Sequence, residues 1–589
     1  MRSAAEIAFR LRQEVTNVAL MLLPPSFNGS PDTIALPHPE EVAAALRDTA
    51  FAGELVRLAS EIRGGRVPLL GLDAEPGSDI RWRRDFVSGK ETGLDYFRLI
   101  PYLDATRAGD HKNIWELNRH QHLVVLAQAF LFDGNVANLK EIYRQIESWE
   151  DANKFQRGIN WASTLEVSFR ALSWLWIYFL VGSEMPPGFR SRLLESLYRH
   201  GKHIENNLSF YFSPNTHLLG EAVALHALGF LSSDFRVLGA QVVAEQMDKQ
   251  VREDGSHFEQ STYYHVYALD MFLFHAILAG DDAGPSYRAK LERMAEFLQA
   301  VQGPQRTLPL LGDDDGGRFF HPYGIRENFG RATLATCGVY FNRPEWIGAT
   351  DDLYEQAAWW LGPGVLTTSP AAPHHRSQLF ADSGLAAMTA GDTHIIVDAG
   401  QFGPWGSGHS HSDTLSIVVR RGDREMLVDA GTYTYVGDEK WRNWFRGSAA
   451  HNTIRIDGKD QATPAGPFRW TDQPTPRVHA WGSNEAEDYL DAECSYAGFT
   501  HRRRIRFSKP DMIYVVDEIT GPAGTHEVEQ WWHPASVEAE RCLIFDHAPD
   551  RVEAWRSTVF GAKEPITALC VSKTGELPIT FETQIRLIP

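Results

Sequence analysis

The sequence contains few cysteines. Its four thiols, at Cys337, Cys494, Cys542 and Cys570, are scattered over 589 residues, and no two of them form a CxxC pair. Thiolate zinc sites use such pairs, and small disulfide-rich folds carry many closely spaced cysteines. The spacing therefore argues against both kinds of site and predicts isolated buried thiols.

A long uninterrupted apolar segment is also lacking. The longest run, over residues 171–181, is shorter than the roughly 20 residues that a helix needs to cross a bilayer. The N-terminal stretch MRSAAEIAFRLRQEV is interrupted by charges and lacks the apolar core of a signal peptide. We expect a cytoplasmic location for the chain as given, or a periplasmic or secreted one if a leader has been removed.

Positively charged residues are fewer than negatively charged ones. With 57 Lys and Arg against 76 Asp and Glu, the net charge is −19. Such a chain is not attracted to nucleic acid or to anionic lipid over its whole surface, so we expect neither a nucleic-acid partner nor a membrane. A polyanionic substrate would need a local group of cations. The pattern leaves the oligomeric state open.

The hydrophobic pattern changes near residue 365. Before this point, apolar residues recur at helical three-and-four spacing, in residues 40–62, 120–132, 162–180, 218–230, 264–278 and 287–301. After a Pro-, Gly- and Thr-rich stretch come short segments rich in Val, Ile or Tyr. We predict an α+β multidomain chain, with a helical toroid or solenoid over residues 1–365 and an antiparallel β-sandwich over residues 366–589. An active site is expected in the cleft between them.

The densest polar cluster, residues 406–413, reads GSGHSHSD. His409 and His411 share one face if the segment is extended, and the glycines let the backbone approach a ligand closely. The cluster suits metal binding or proton transfer, although a plain polar loop is the alternative. Asp429, at the end of the apolar strand in MLVDAG, and His451, in AAHNT, complete a His/Asp/His set that fits a zinc-like ion.

Two polar segments of the helical half also contain candidate residues. SPNTHLLGEA opens an apolar helix, where Asn215 can be a cap and His217 a packed polar residue. In DGSHFEQSTYYH, a turn at Gly255 precedes a helix that begins near Ser261. Tyr264 in this helix would, taken alone, be a packing residue.

Together these motifs resemble the heparinase II/III family. The segments that carry the likeness stand in the family's order and cover nearly the whole chain: WELNRHQHLVVLAQA, NWASTLEVSFRALSW, SPNTHLLGEA, DGSHFEQSTYYH, GHSHSD, LVDAGTYTY and AAHNT. The resemblance implies an incomplete (α/α) toroid followed by an antiparallel β-sandwich. It also implies a lyase whose partner is an acidic polysaccharide: heparin, heparan sulfate, another glycosaminoglycan or alginate.

The resemblance further implies roles for individual residues. Tyr264 and His409 match the catalytic tyrosine and histidine of the family. Relatives often place Asn directly before His at the position that neutralises the substrate carboxylate; Thr216 intervenes here, so both Asn215 and His217 are candidates. A structural divalent metal, with zinc the expected ion, would be held by His411, Asp429 and His451. Residues expected to bind substrate or support the site are Arg119, His120, Glu259 and Gln260.

Elimination needs an acid and a base beside a neutralised carboxylate. The C5 proton of a uronate is poorly acidic while the carboxylate keeps its charge, so donors must stabilise the enolate-like intermediate. A phenol with a pKa of ~10 is scarcely ionised at neutral pH, so the site must lower the pKa of Tyr264 if this residue is the base. His409 titrates nearer the working range and is the expected base for one C5 epimer.

Two other functions stay open on the residues alone. GDDDGGR brings together Asp313, Asp314 and Asp315, and a glycoside hydrolase on a helical toroid needs two carboxylates roughly 5–10 Å apart. The same residues also fit a glycine-flanked turn. The tryptophan-rich helical half would equally permit a polysaccharide-binding protein without catalysis.

Overall fold

The computed structural model describes residues 3–72, 75–320, 329–404 and 408–587. Its first part is helical, and its α-helices are α1 (Ala4–Leu22), α2 (Pro39–Leu46), α3 (Ala50–Arg63), α4 (Ala105–Ala108), α5 (His111–Asn118), α6 (Gln121–Asp133), α7 (Val136–Ala152), α8 (Thr164–Val181), α9 (Pro187–Asn207), α10 (Thr216–Ala227), α11 (Ser233–Gln250), α12 (Thr262–Ala279), α13 (Pro285–Gln302), α14 (Arg331–Tyr340) and α15 (Ala357–Leu361).

The long helices form two layers. The inner helices α6, α8, α10 and α12 pack side by side in that order, and each is followed in the chain by an outer helix, α7, α9, α11 or α13, that packs against it. The sequence explains the division, because α12 is buried at every position from Thr262 to Ala276, whereas α13 alternates buried and exposed residues. This arrangement is an (α/α) toroid.

Helix α8 belongs to this inner layer. The segment Thr164–Glu184 is long and apolar enough to cross a membrane by length and composition alone, but 89% of its most apolar window is buried inside the protein. The apolar composition of α8 therefore suits a core helix packed between α6 and α10.

The second part of the chain consists mainly of strands: β1 (Gln378–Phe380), β2 (Leu385–Ala390), β3 (Thr393–Asp398), β4 (Ser416–Arg421), β5 (Arg424–Leu427), β6 (Ile454–Ile456), β7 (Thr463–Pro464), β8 (Trp470–Thr471), β9 (Thr475–Ser483), β10 (Glu487–Tyr496), β11 (Phe499–Ser508), β12 (Met512–Thr520), β13 (Thr525–Trp532), β14 (Leu543–Phe545), β15 (Asp550–Val559), β16 (Ala562–Glu576) and β17 (Ile579–Arg586). Two short helices, α16 (Glu439–Phe445) and α17 (Val537–Glu540), interrupt them.

These strands form antiparallel sheets. One has the order β1-β2-β3-β4-β5, a second β14-β17-β12-β11-β10-β9 and a third β15-β16-β13-β6, with a small pair β7-β8. Buried and less buried residues alternate along β11 and β12, which places one face of each strand in the core. Residues from the three larger sheets, among them Ile417, Ile505 and Trp532, share that core. The expected toroid followed by a β-sandwich is confirmed.

Short polar contacts join the two parts beside the start of α12. The side chain of Gln260, which has a φ of 54°, donates to the carbonyls of Ser383 and Gln401 at 2.9 and 2.8 Å. The backbone N–H of Asp313 donates to the carbonyl of His409 at 2.9 Å. The first two bonds join the start of an inner helix to the β-sandwich, and the third joins the GHSHSD segment to the GDDDGGR segment.

Candidate active site

A cavity of about 370 Å³ lies where the inner helices meet loops of the β-sandwich. Its walls include Tyr264 of α12, Asn215 and His217 at the start of α10, and His409 and Tyr435 of the second part. A larger cavity, about 1110 Å³, lies beside β4, β5 and β15, and none of these five residues lines it. We take the smaller cavity as the candidate active site, because an active site is identified by the reactive side chains that line it and not by its volume.

Tyr264 and His409 are in direct contact in this cavity. Their rings stack with centroids 3.8 Å apart and planes inclined by 21°, and the hydroxyls of Tyr264 and Tyr435 are hydrogen bonded at 3.1 Å. Burial, followed by the negative charge of Asp315, raises the pKa of Tyr264 well above its ordinary value. These surroundings favour the protonated phenol, so the condition for a base role of Tyr264, a lowered pKa, is not met.

The environment of His409 favours its protonated form. Nδ1 of His409 lies 3.1 Å from Oδ2 of Asp313, and Nε2 lies 3.6 Å from Oε1 of Glu259. Burial alone would lower the pKa of His409, but the hydrogen bond to Asp313 and the charge of Glu259 outweigh it and raise the pKa. His409 is consequently a stronger base than a free imidazole.

The N-terminus of α10 opens onto the cavity. Asn215 caps it by accepting the N–H of His217 at 3.1 Å, and Nδ2 of Asn215 donates to Oε1 of Glu259 at 2.6 Å. Burial lowers the pKa of His217 to about 4 and raises the pKa of Glu259. Helix N-termini attract anions, so this corner can accept a substrate carboxylate.

Two buried cations line another wall of the cavity. Arg119 forms a two-fold hydrogen bond with Glu166, at 2.7 and 2.8 Å, and Lys112 contacts Glu116 and Asp315 at 2.9 and 3.0 Å. Nη1 of Arg119 also lies 3.4 Å from Oε2 of Glu116, so buried carboxylates share the charge of both cations. Lys112 was not among the residues expected from the sequence, because it is 203 residues from its partner Asp315.

Behind the cavity, Asp313 contacts three cationic or ionisable side chains. Both of its oxygens accept from the guanidinium of Arg442, and they also contact Nδ1 of His409 and Nε2 of His411. Burial would raise the pKa of Asp313, but Arg442 and the two histidines hold it well below its ordinary value. The GDDDGGR segment therefore contributes an ionised, fully buried carboxylate, which the turn interpretation missed.

Next to Asp313 lies a cluster suited to a metal ion. His411, Asp413 and His451 offer ligand atoms that all lie within 4.8 Å of one another, and Nδ1 of His411 and Nε2 of His451 are buried without hydrogen-bond partners. Burial and the charge of Asp413 raise the pKa of Asp398 to about 8. Unpartnered imidazole nitrogens beside carboxylates that resist ionisation fit a divalent cation, which would supply the missing positive charge.

The cluster contains two of the three ligands that the sequence predicted, His411 and His451. Its third member is Asp413, the last residue of GHSHSD, and the expected ligand Asp429 stays a prediction. Oδ2 of Asp429 lies 2.8 Å from Nδ1 of His451, so it orients this histidine and directs Nε2 to the cluster. The sequence did contain the signal, since Asp413 is two residues from His411.

Two family models match most of this chain. The model described as Heparinase II/III N-terminus matches residues 74–318, and the model described as Heparinase II/III-like, C-terminal matches residues 372–584. The chain belongs to the heparinase II/III family.

Several of the proteins to which this chain is similar are named as lyases. The heparin-sulfate lyase of Pedobacter heparinus is 24% identical over 476 residues, and the match covers 75% of this chain and 65% of that protein. This chain thus spans less than two thirds of the relative's length. The crystal structure of heparinase III has a TM-score of 0.65 at 17% identity, covering 94% of this chain and 92% of that one. The chondroitin AC lyase of Streptomyces coelicolor A3 has a TM-score of 0.53 at 13% identity, covering 98% and 82%. The two structures show a shared fold.

Most positions carried over from the heparinase II/III family converge on the cavity, which is lined by Tyr264, His409, Asn215, His217, Arg119 and Glu259. Two expected substrate-binding residues do not line it. His120 is fully buried, and its Nδ1 accepts the indole N–H of Trp174 at 2.9 Å. Gln260 joins the two parts of the chain, as described above. Both therefore have structural surroundings that explain their presence without a ligand.

Proposed function

We propose that the chain is a lyase that cleaves a uronate-containing polysaccharide of the glycosaminoglycan class by β-elimination. The observation that carries this proposal is the stacked pair Tyr264 and His409 in one cavity with Asn215 and His217. A proton acceptor, a proton donor and a carboxylate-binding corner are thus within reach of one sugar ring. The heparin-sulfate lyase activity of relatives supports the same class of substrate.

The substrate carboxylate binds at the start of α10. The second N–H of the Asn215 amide and the imidazole of His217 donate to it, and the helix N-terminus adds a favourable field. Withdrawing charge from the carboxylate stabilises the enolate-like intermediate that forms when C5 loses its proton.

His409 takes the C5 proton at Nε2, and Tyr264 gives its phenolic proton to the departing C4 oxygen. His409 accepts the proton in its neutral form, and its raised pKa makes that form a stronger base than a free imidazole. The raised pKa of Tyr264 keeps on the phenol the proton that the leaving group needs. The C4–O bond breaks, its electron pair goes to the oxygen, and a C4–C5 double bond remains.

A zinc-like ion held by His411, Asp413 and His451, with Asp429 supporting His451, would supply structural cross-linking of the segments that carry these residues. None of its expected ligands is also a reacting group. His409 lies two residues from His411 on the same segment, so an ion bound at His411 would also help to hold His409 in the cavity.

The environments of Asp313 and Asp315 argue against their use as the acid of a hydrolase. A hydrolase needs one protonated carboxyl group as acid. Arg442 and two histidines hold Asp313 ionised, and Lys112 and Arg119 overcome burial to keep the pKa of Asp315 well below its ordinary value. Neither side chain is suited to donate a proton.

Absorbance near 232 nm during incubation with a panel of polymers tests the proposal. The panel contains heparin, heparan sulfate, hyaluronan, chondroitin sulfate and alginate. A rise with a glycosaminoglycan is the expected result, because elimination leaves an unsaturated uronate. New reducing ends without absorbance would establish hydrolysis instead. Binding to the polymers without either product would favour the binding protein.

A further inference from the structure

One buried carboxylate lies between the reacting histidine and the metal cluster. Oδ2 of Asp313 is 3.1 Å from Nδ1 of His409, and Oδ1 is 2.9 Å from Nε2 of His411. The guanidinium of Arg442 donates to both oxygens, and the side chain of Asp313 is inaccessible to solvent. The carboxylate plane is thus fixed by a two-point contact.

This geometry determines which nitrogen of each imidazole carries a proton. An ionised carboxylate only accepts hydrogen bonds, so the nitrogen that faces it must bear hydrogen. In its neutral form, His409 therefore has its proton on Nδ1 and directs Nε2 towards the cavity. His411 has its proton on Nε2 and leaves the lone pair of Nδ1 for the cluster.

The second half of this assignment agrees with an independent observation. Nδ1 of His411 is one of the buried nitrogens that have no hydrogen-bond partner, and it belongs to the group of ligand atoms formed with Asp413 and His451. A metal ligand must be an unprotonated nitrogen, and a hydrogen bond from the other ring nitrogen to a carboxylate is the usual way to secure this.

The backbone of Asp313 also forms hydrogen bonds to two other segments of the chain. Its N–H donates to the carbonyl of His409, and its carbonyl accepts the hydroxyl of Ser261 at the start of α12. Asp313 is thereby held between the segment that carries both histidines and the helix that carries Tyr264.

We propose that Asp313 is a positioning residue that sets the tautomers of His409 and His411 together and so couples the metal cluster to proton transfer in the cavity. The part concerning His409 rests on the proposed lyase function. The part concerning His411 depends only on metal binding.

Asp313→Asn tests both parts with little change in shape. The amide has one acceptor oxygen, so it cannot satisfy both histidines, and its NH₂ group favours the wrong tautomer of one of them. We expect kcat to fall about 100-fold or more with KM within about 3-fold, by analogy with other histidine-orienting carboxylates. Metal affinity, measured by metal content after dialysis against graded chelator, should fall about 10–100-fold. The matched control is Asp314→Asn, one residue along in the same segment, which should keep kcat and metal content.

A double variant separates positioning from mere support of the fold. If Asp313 acts on the reaction through His409, Asp313→Asn adds no further loss of kcat in a His409→Ala background. If the kcat losses of the two single variants multiply in the double variant, the coupling is overturned. Unchanged kcat and metal content in Asp313→Asn would also overturn it.

If Asp313→Asn does not fold, Arg442→Lys replaces it, since lysine keeps the charge but not the two-point contact. This variant should also lower both kcat and metal affinity. Should the wild-type protein cleave no polymer, the lyase proposal fails, and metal retention alone decides the part concerning His411.

Discussion

The ring of Tyr264 lies against the imidazole of His409, with centroids 3.8 Å apart. The phenol comes from the first turn of an inner helix, and the imidazole comes from a loop of the β-sandwich, 145 residues later in the chain. In the proposed reaction one residue donates a proton and the other accepts one, so removing either should affect turnover and not the capture of substrate.

Tyr264→Phe and His409→Ala should each lower kcat by about 10²–10⁴-fold, the usual contribution of a positioned acid or base. Phenylalanine keeps the stacked ring, so KM and the melting temperature of that variant should stay close to wild type. Initial rates at 232 nm over a range of polymer concentrations give both constants. Wild-type kcat in both variants would exclude these residues from proton transfer.

The start of α10 offers two candidates for neutralising the carboxylate, and they differ in their contacts. His217→Ala removes a donor without removing the cap, so kcat should fall about 10²–10³-fold while the melting temperature hardly changes. Asn215→Ala should lower kcat and also cost about 1 kcal/mol of stability through the lost cap.

Asn215→Ser separates these two effects at Asn215. Serine is also a good cap residue, so this variant should keep most of the stability but still lose turnover, because the amide donor is gone. Calorimetry beside the kinetic assay makes the distinction. If serine restores kcat, the role of Asn215 is to cap α10 and His217 alone is the neutralising residue.

A bound metal should be detectable and should stabilise the fold. Elemental analysis is expected to give about one divalent ion per chain, and His451→Ala should abolish it, because Nε2 of His451 is one of the unpartnered ligand atoms. Removing the ion leaves several buried ionisable groups uncompensated, so the melting temperature should fall by several degrees. Zinc added back should restore it in the wild type but not in His451→Ala. A metal-free wild type of unchanged stability and turnover would contradict the structural role.

Long periodic segments could be predicted from the sequence because their folding signal is local. The helical spacing over residues 264–278 corresponds to α12, and that over 287–301 corresponds to α13. All of the segment HRRRIRFSK except its last residue falls within β11. In each case the spacing of the apolar residues predicts which face of the helix or strand is buried.

The role of Asp313 could not be predicted in this way. Its partners His409 and Arg442 are 96 and 129 residues away, so nothing in the local pattern distinguishes it from a turn residue. His120, by contrast, was predicted to bind substrate from its local position in the chain, and this role stays a prediction. It follows Arg119 directly, but it adopts a left-handed conformation between α5 and α6, and this break turns it away from the cavity into a cluster of tryptophans.

Glu221 predicts how stability depends on pH. It is fully buried on α10 and accepts the N–H and the hydroxyl of Ser209 at 2.7 and 2.6 Å. Burial raises its pKa to about 8, well above the value of about 4.3 in an unfolded chain. The folded protein therefore binds this proton more tightly. The stability gained from Glu221 is fully present below about pH 4.3 and is lost as the pH rises towards 8, at up to about 1.4 kcal/mol per pH unit.

Glu221→Gln removes the titration but keeps a side chain of the same shape, which can accept from one group of Ser209 and donate to the other. The variant should match wild type near pH 5 and be the more stable protein at pH 8, so the difference in melting temperature should grow steadily across this window. Glu245→Gln on the exposed face of α11 is the matched control, and its curve should run parallel to that of wild type. A Glu221→Gln curve that is also parallel would mean that this carboxyl group is ionised in the folded protein, and that the contact with Ser209 outweighs burial.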